Sequence, residues 1–110
     1  MAEHPYFDVD VVTPEAVVWT GEADFLLART TEGEMGVLRD HEPTMAALAT
    51  GVVEIQGRDA SRTTVGIHGG FLQIFHNQVT LLTDRAEISE SREEALKVAV
   101  ELQAAADEST

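Results

Sequence analysis

The sequence predicts a mostly β protein: a β-sandwich or flattened barrel over residues 1–88, then one short C-terminal α-helix within residues 89–110. Three observations carry this. Apolar and polar residues alternate over short runs through the first part of the chain. Gly, Pro, Asn and Asp punctuate those runs as turn formers. After Ile88 the apolar spacing lengthens to that of a helix. No helix-length segment separates the strands, which disfavours a βαβ architecture.

Phe7 to Val11 alternates apolar and acidic residues, the pattern of a strand with one wet face. Thr13-Pro14-Glu15 ends it, and Ala16 to Thr20 starts a second strand with Val17, Val18 and Trp19. Phe25 to Thr31 is a third strand, leading into Glu32 to Pro43. There Gly33 and Gly36 bracket Glu34 and Met35, predicting two sharp turns that present Glu34 and His41 from fixed loops. Gly51 to Gln56 places Val53 and Ile55 on one face and Glu54 and Gln56 on the other. Gly57-Arg58-Asp59-Ala60-Ser61 is a hairpin connection to a strand over Arg62 to Ile67. Gly69-Gly70 turns the chain into Phe71 to Phe75, where Phe71, Leu72, Ile74 and Phe75 read as core. His76-Asn77-Gln78 turns it again into Val79 to Thr83.

Ser91-Arg92-Glu93-Glu94 offers a capping box for a helix from about Arg92 to Ala106. Ala95, Ala99, Leu102 and Ala106 recur at helical spacing, joined by Leu96. So short and alanine-rich a helix is marginal alone. It must lie against the sheet or a partner.

The net charge of −13, from 20 acids and 7 bases, repels phosphate backbones and anionic lipid, which excludes nucleic acid as a partner and attracts basic protein surfaces. No run approaches the roughly 18 apolar residues of a membrane span, so direct insertion is not expected, and Met1 to Pro5 lacks a secretion signal. Without cysteine there is no disulfide framework and no thiolate metal site. His4, His41, His68 and His76 have no compact ligand spacing, so a His/carboxylate metal enzyme is the weaker alternative. There is no Gly-x-Ser-x-Gly elbow, and Gly66-Ile67-His68-Gly69-Gly70 is not followed by Gly-Lys-Ser/Thr. No cofactor is expected. A docking role remains, for example as a small acidic sandwich adaptor.

Several motifs in order resemble the epsilon subunits of bacterial F-type ATP synthases, over nearly all of residues 1–88. They are Val11-Val12-Thr13-Pro14-Glu15 with Trp19-Thr20-Gly21, Glu32-Gly33-Glu34-Met35-Gly36-Val37-Leu38, and His41-Glu42-Pro43. Gly51-Val52-Val53-Glu54-Ile55, Gly69-Gly70-Phe71-Leu72, and Val79 to Asp84 with Ala86-Glu87 follow. The Trp-Thr-Gly and Gly-Gly-Phe-Leu forms are similar to actinobacterial members. The resemblance implies a sandwich with a C-terminal helical hairpin, at the foot of the central stalk on the cytoplasmic face of the membrane. It implies no active site, and a link between the gamma subunit and the c ring.

By the same resemblance Glu34 and His41 face the c ring, whose loops bear an arginine that suits Glu34. The residues alone also allow Glu34 as an exposed turn acid and His41 as a loop-pinning hydrogen bonder. Thr13, with the strand ends near Thr83 to Ala86, lies toward gamma, and Thr13 equally reads as a turn cap before Pro14. Nucleotide-binding members carry Ile-Asp-x-x-Arg-Ala, of which Ile88 and Arg92 survive here. Ser89 replaces the acid and Glu93 the alanine, and a negative Glu93 opposes phosphate, so ATP binding is not expected. The segment after Ile88 is too short for two helices and their turn, so an inhibitory latch is not expected either. Arg39 stands where many members have proline.

Overall fold

The computed structural model describes residues 6–57, 61–89 and 92–108, and these form nine strands and one helix. Strand β1 (Phe7–Val12) buries Phe7, Val9 and Val11 and turns Asp8 outward, as the alternation requires. A tight turn follows, closed by Thr13 N–H to Ala16 O at 2.9 Å and Ala16 N–H to Thr13 O at 3.3 Å.

Strand β2 (Val17–Thr30) is continuous over 14 residues, where the sequence suggested two strands. Gly21 and Glu22 stay in the ladder, opposite Val9 and Asp8. The interruption is a bulge between Ala23 and Phe25, which bends the strand without ending it. There β2 changes partners: it pairs with β1 up to Ala23, then with β5 (Gly51–Gly57) and β3 (Gly33–Val37). Its far end reaches β4 (Thr44–Ala47), where Thr30 bridges Leu48 and Thr31 N–H donates to Ala47 O at 3.0 Å.

Of the glycine-rich segment, Gly33–Val37 is therefore a strand, so Glu34 stands on a strand and only His41 on a loop. Only Gly33 has a positive φ (122°), while Gly36 sits in the ladder opposite Leu27. Strands β4 and β9 (Arg85–Ser89) were not anticipated; β4 does not alternate, β9 alternates over only five residues, and each is an edge strand paired to one neighbour. Strands β6 (Arg62–His68), β7 (Phe71–Phe75) and β8 (Gln78–Leu82) fall where expected. The His76–Asn77 turn has φ of 49° and 60°, the left-handed pair that matches hairpin twist.

The strand order is β4-β7-β8-β1-β2-β5-β6-β9, with β3 added to β2. Because β2 serves both halves, this open sheet folds over into a sandwich. Val9, Val11, Leu72, Ile74, Val79 and Leu81 from one half meet Leu26, Val37, Val53, Ile55, Val65 and Ile67 from the other. Phe71 and Phe75, expected in the core, are more than half exposed instead. The sandwich covers only one face of β7, and Leu72 and Ile74 occupy that phase.

Helix α1 (Arg92–Glu108) runs two residues past the expected end and packs on β5, β6 and β9. Its contact is close: Ala95 and Ala99 are fully buried, and a Cβ at Gly66 would lie 2.4 Å from the Ala95 carbonyl oxygen. Leu96, grouped with the packed face on sequence, lies at the margin of the contact and is half exposed, and Val100 is half exposed too. Of the capping box, Ser91 lies outside the described residues. Gly66→Val is expected to lift α1 from the sheet, since overpacking costs about 1–3 kcal/mol. Circular dichroism should then show the helical signal fall while the sheet signal stays, because the undocked helix is marginal.

Candidate docking surfaces

Side chains that leave the core phase of β7, β8, β1 and β2 share one outer face. Cross-strand pairing aligns Ala47, Phe71, Leu82, Val12 and Val17 in a row across five strands. Four large apolar side chains at this end of the face are open, Val17 (61%), Phe71 (53%), Leu82 (49%) and the adjacent Met45 (67%), and Phe75 is open farther along β7. Monomers seldom leave so contiguous a patch uncovered. At its centre is a groove of about 550 Å³ between Phe71 and Leu82 on one side and Val12, Thr13 and Pro14 on the other.

Farther along the same strands the face becomes polar. Thr20 and Gln78 both donate to the Asp10 carboxylate, Gln78 at 3.1 Å, and Asp8 stands opposite Glu22. One face thus pairs an apolar end with an acidic end, an arrangement suited to a large protein partner with basic character.

Two of the residues expected toward gamma, Thr13 and Thr83, both line the groove. Thr13 also caps its turn, its hydroxyl accepting from Glu15 N–H at 3.4 Å. Thr83 is 2% exposed, and its hydroxyl donates inward to Arg85 O at 2.9 Å. Its side chain therefore holds the groove wall and offers no contact of its own. Ala86 lies apart on β9, half-buried opposite Ile67.

Glu34 is exposed on β3 opposite Arg29, beside a cavity of about 180 Å³ that Leu96 of α1 also lines. His41 lies within the loop after β3: its N–H donates to Leu38 O at 3.2 Å and its Nδ1 to Glu42 O at 2.9 Å. Glu34 and His41 thus sit on different elements, a strand and a loop. Ile88 is exposed on β9 opposite Val65, and Arg92 opens α1.

The remaining histidines are structural in setting. His68 Nδ1 lies 2.7 Å from Thr50 Oγ1, and the His76 ring stands edge-on to Phe75 with centroids 4.1 Å apart. His4 is outside the described residues. Among the described residues no group of three or more His, Asp or Glu could hold a metal, and no helix is long and apolar enough to cross a membrane.

The family model for the ATP synthase delta/epsilon chain β-sandwich domain matches residues 6–89. The chain belongs to this family. A Corynebacterium efficiens ATP synthase epsilon chain is 47% identical over 79 residues, covering 71% of this chain and 64% of its own length. A Streptomyces avermitilis ATP synthase epsilon chain is 37% identical over 82 residues, with 74% and 66% covered. This chain therefore spans just under two thirds of the length of these two relatives. Among solved structures, a chain of the Euglena gracilis mitochondrial ATP synthase assembly containing OSCP, F1 and the c ring superposes with a TM-score of 0.74. It is 25% identical, over 94% of this chain and 68% of that one. The resemblance to ATP synthase epsilon subunits read from the motifs, and its actinobacterial character, are both borne out.

Sequence reading missed the apolar members of the row. Their signal was present: Phe71, Leu72, Ile74 and Phe75 put apolar residues on both phases of one strand. A strand apolar on both faces needs cover on both.

Proposed function

We propose that this chain is the epsilon subunit of the central stalk of a bacterial F-type ATP synthase, peripheral on the cytoplasmic face of the membrane. It performs no chemistry itself. The gamma subunit seats on the apolar row around Thr13, Phe71 and Leu82, and the c ring meets Glu34 and the His41 loop. Rotation of the ring is thereby coupled to gamma during proton-driven synthesis. The observation that carries this reading is the uncovered apolar row in a member of the delta/epsilon family, since such a face calls for a permanent protein partner.

Co-expression with gamma tests it: a stable one-to-one complex is expected, and a chain that ignores gamma removes the reading. At the ring side, Glu34→Lys reverses the charge offered to a ring arginine and should reduce coupled ATP synthesis several-fold, the scale of one charge-assisted hydrogen bond. Unchanged synthesis and proton pumping would take Glu34 off the contact. Nucleotide is not a ligand in this reading, because the exposed Glu93 stands at the helix start where a phosphate would have to sit.

A further inference from the structure

We propose that Asn77 is a positioning residue for the contact edge at His41, tying the β7–β8 turn to the loop 38–43 so that both meet a partner as one body. The inference rests on the reading above, in which His41 faces the ring. Among the described residues the non-glycine positions with positive φ are Asp40 (67°), His76 (49°) and Asn77 (60°), and all three converge here.

The Asn77 side-chain amide engages Asp40 twice. Its Oδ1 accepts the Asp40 backbone N–H at 2.6 Å, and its Nδ2 donates to Asp40 Oδ1 at 3.0 Å. Asp40 directly precedes His41, so the clamp fixes the backbone that aims the imidazole. The turn is itself anchored, because Asn77 O accepts Asp8 N–H from β1 at 2.9 Å. On the other side, Arg39 donates to Tyr6 O at 3.0 Å and lies 3.7 Å from the Asp40 carboxylate. The loop is thus held to the start of β1 by Arg39 and to the turn by Asn77.

The residue choice supports the assignment. The second position of a type I′ turn favours glycine, which adopts positive φ without cost. Asparagine also tolerates this conformation, and here it brings an amide that glycine lacks. Both of its polar atoms are used on Asp40, across 37 positions of sequence.

Asn77→Gly tests this, because it keeps the turn conformation and deletes only the amide. Three quantities are read on the full chain in complex with gamma: hydrogen exchange at the Asp40 amide, affinity for gamma, and affinity of the complex for the isolated c ring. Exchange at Asp40 should speed at least tenfold and ring affinity should fall about tenfold, the scale of one or two ordinary hydrogen bonds. Gamma affinity should not move while the melting temperature falls by only a few degrees with the lost hydrogen bonds; a merely structural loss would weaken both interfaces alike. His41→Ala is measured alongside. Unchanged exchange in Asn77→Gly would overturn the clamp. Faster exchange with unaltered ring affinity, while His41→Ala weakens it, would overturn the positioning role and leave the His41 contact standing. If neither variant weakens ring binding, the His41 contact itself is wrong and the proposal goes with it.

Discussion

Replacing Gly70 by valine is expected to remove a large part of the sandwich's folding stability. Gly70 has a φ of 102°, and a Cβ there would lie 2.0 Å from Leu82 O and 2.5 Å from Thr83 Cα. The obstruction is backbone, so no rotamer change relieves it. The same residue accepts Leu48 N–H at 2.8 Å, which ties the end of β4 to the β7 side. Strain at a left-handed non-glycine and overpacking against a strand together amount to about 3–5 kcal/mol. Small domains are stable by only about 5–15 kcal/mol. Urea unfolding should show the midpoint fall sharply or the cooperative transition vanish. Gly70→Ala should retain most of the loss, because the Cβ alone makes the clash; an alanine variant as stable as the parent would contradict the close approach.

The largest effect on binding is expected from Leu82→Asp. Leu82 stands in the middle of the apolar row, between Phe71 and Val12, and is half exposed in the free chain. The substitution therefore places a carboxylate on a solvated surface and leaves folding nearly untouched. In complex with gamma that carboxylate would be desolvated without a partner, as central interface positions are. Affinity should fall at least 100-fold, or about 2.8 kcal/mol at 1.4 kcal/mol per decade. Ile88→Asp is the control, since Ile88 is equally exposed but lies on β9 outside the row. Titration calorimetry against gamma should separate the two. Equal behaviour of Leu82→Asp and parent would move the gamma seat elsewhere.

The local patterns that sequence makes legible are those one strand can decide. Phe7 to Val11 declares its phase because acids alternate with apolar residues, and the His76-Asn77 turn declares itself by residue type. What was misread depends on partners far along the chain. Gly21 looked like a break, yet Val9 holds it in the ladder. Gly36 looked like a turn, yet it pairs with Leu27. Phe71 and Phe75 were assigned to the core because nothing within β7 says which of two apolar phases faces inward. For the site, Thr13 was reachable through family motifs, and it does sit at the groove. The groove itself required the register of five strands, which no single segment encodes.

Strand β2 belongs to both layers of the sandwich, and this bears on how the molecule carries load. In a sandwich whose layers share no strand, a shear between them is resisted by side-chain contacts worth only about 0.1–0.2 kcal/mol per atom pair. Here a pull on the β1 side arrives at β5 along unbroken peptide bonds through Ala23. Layers joined in this way do not creep past one another under repeated twisting. The helix is a separate matter: it is held to the sheet by side-chain packing at Ala95 and Ala99, without a shared strand.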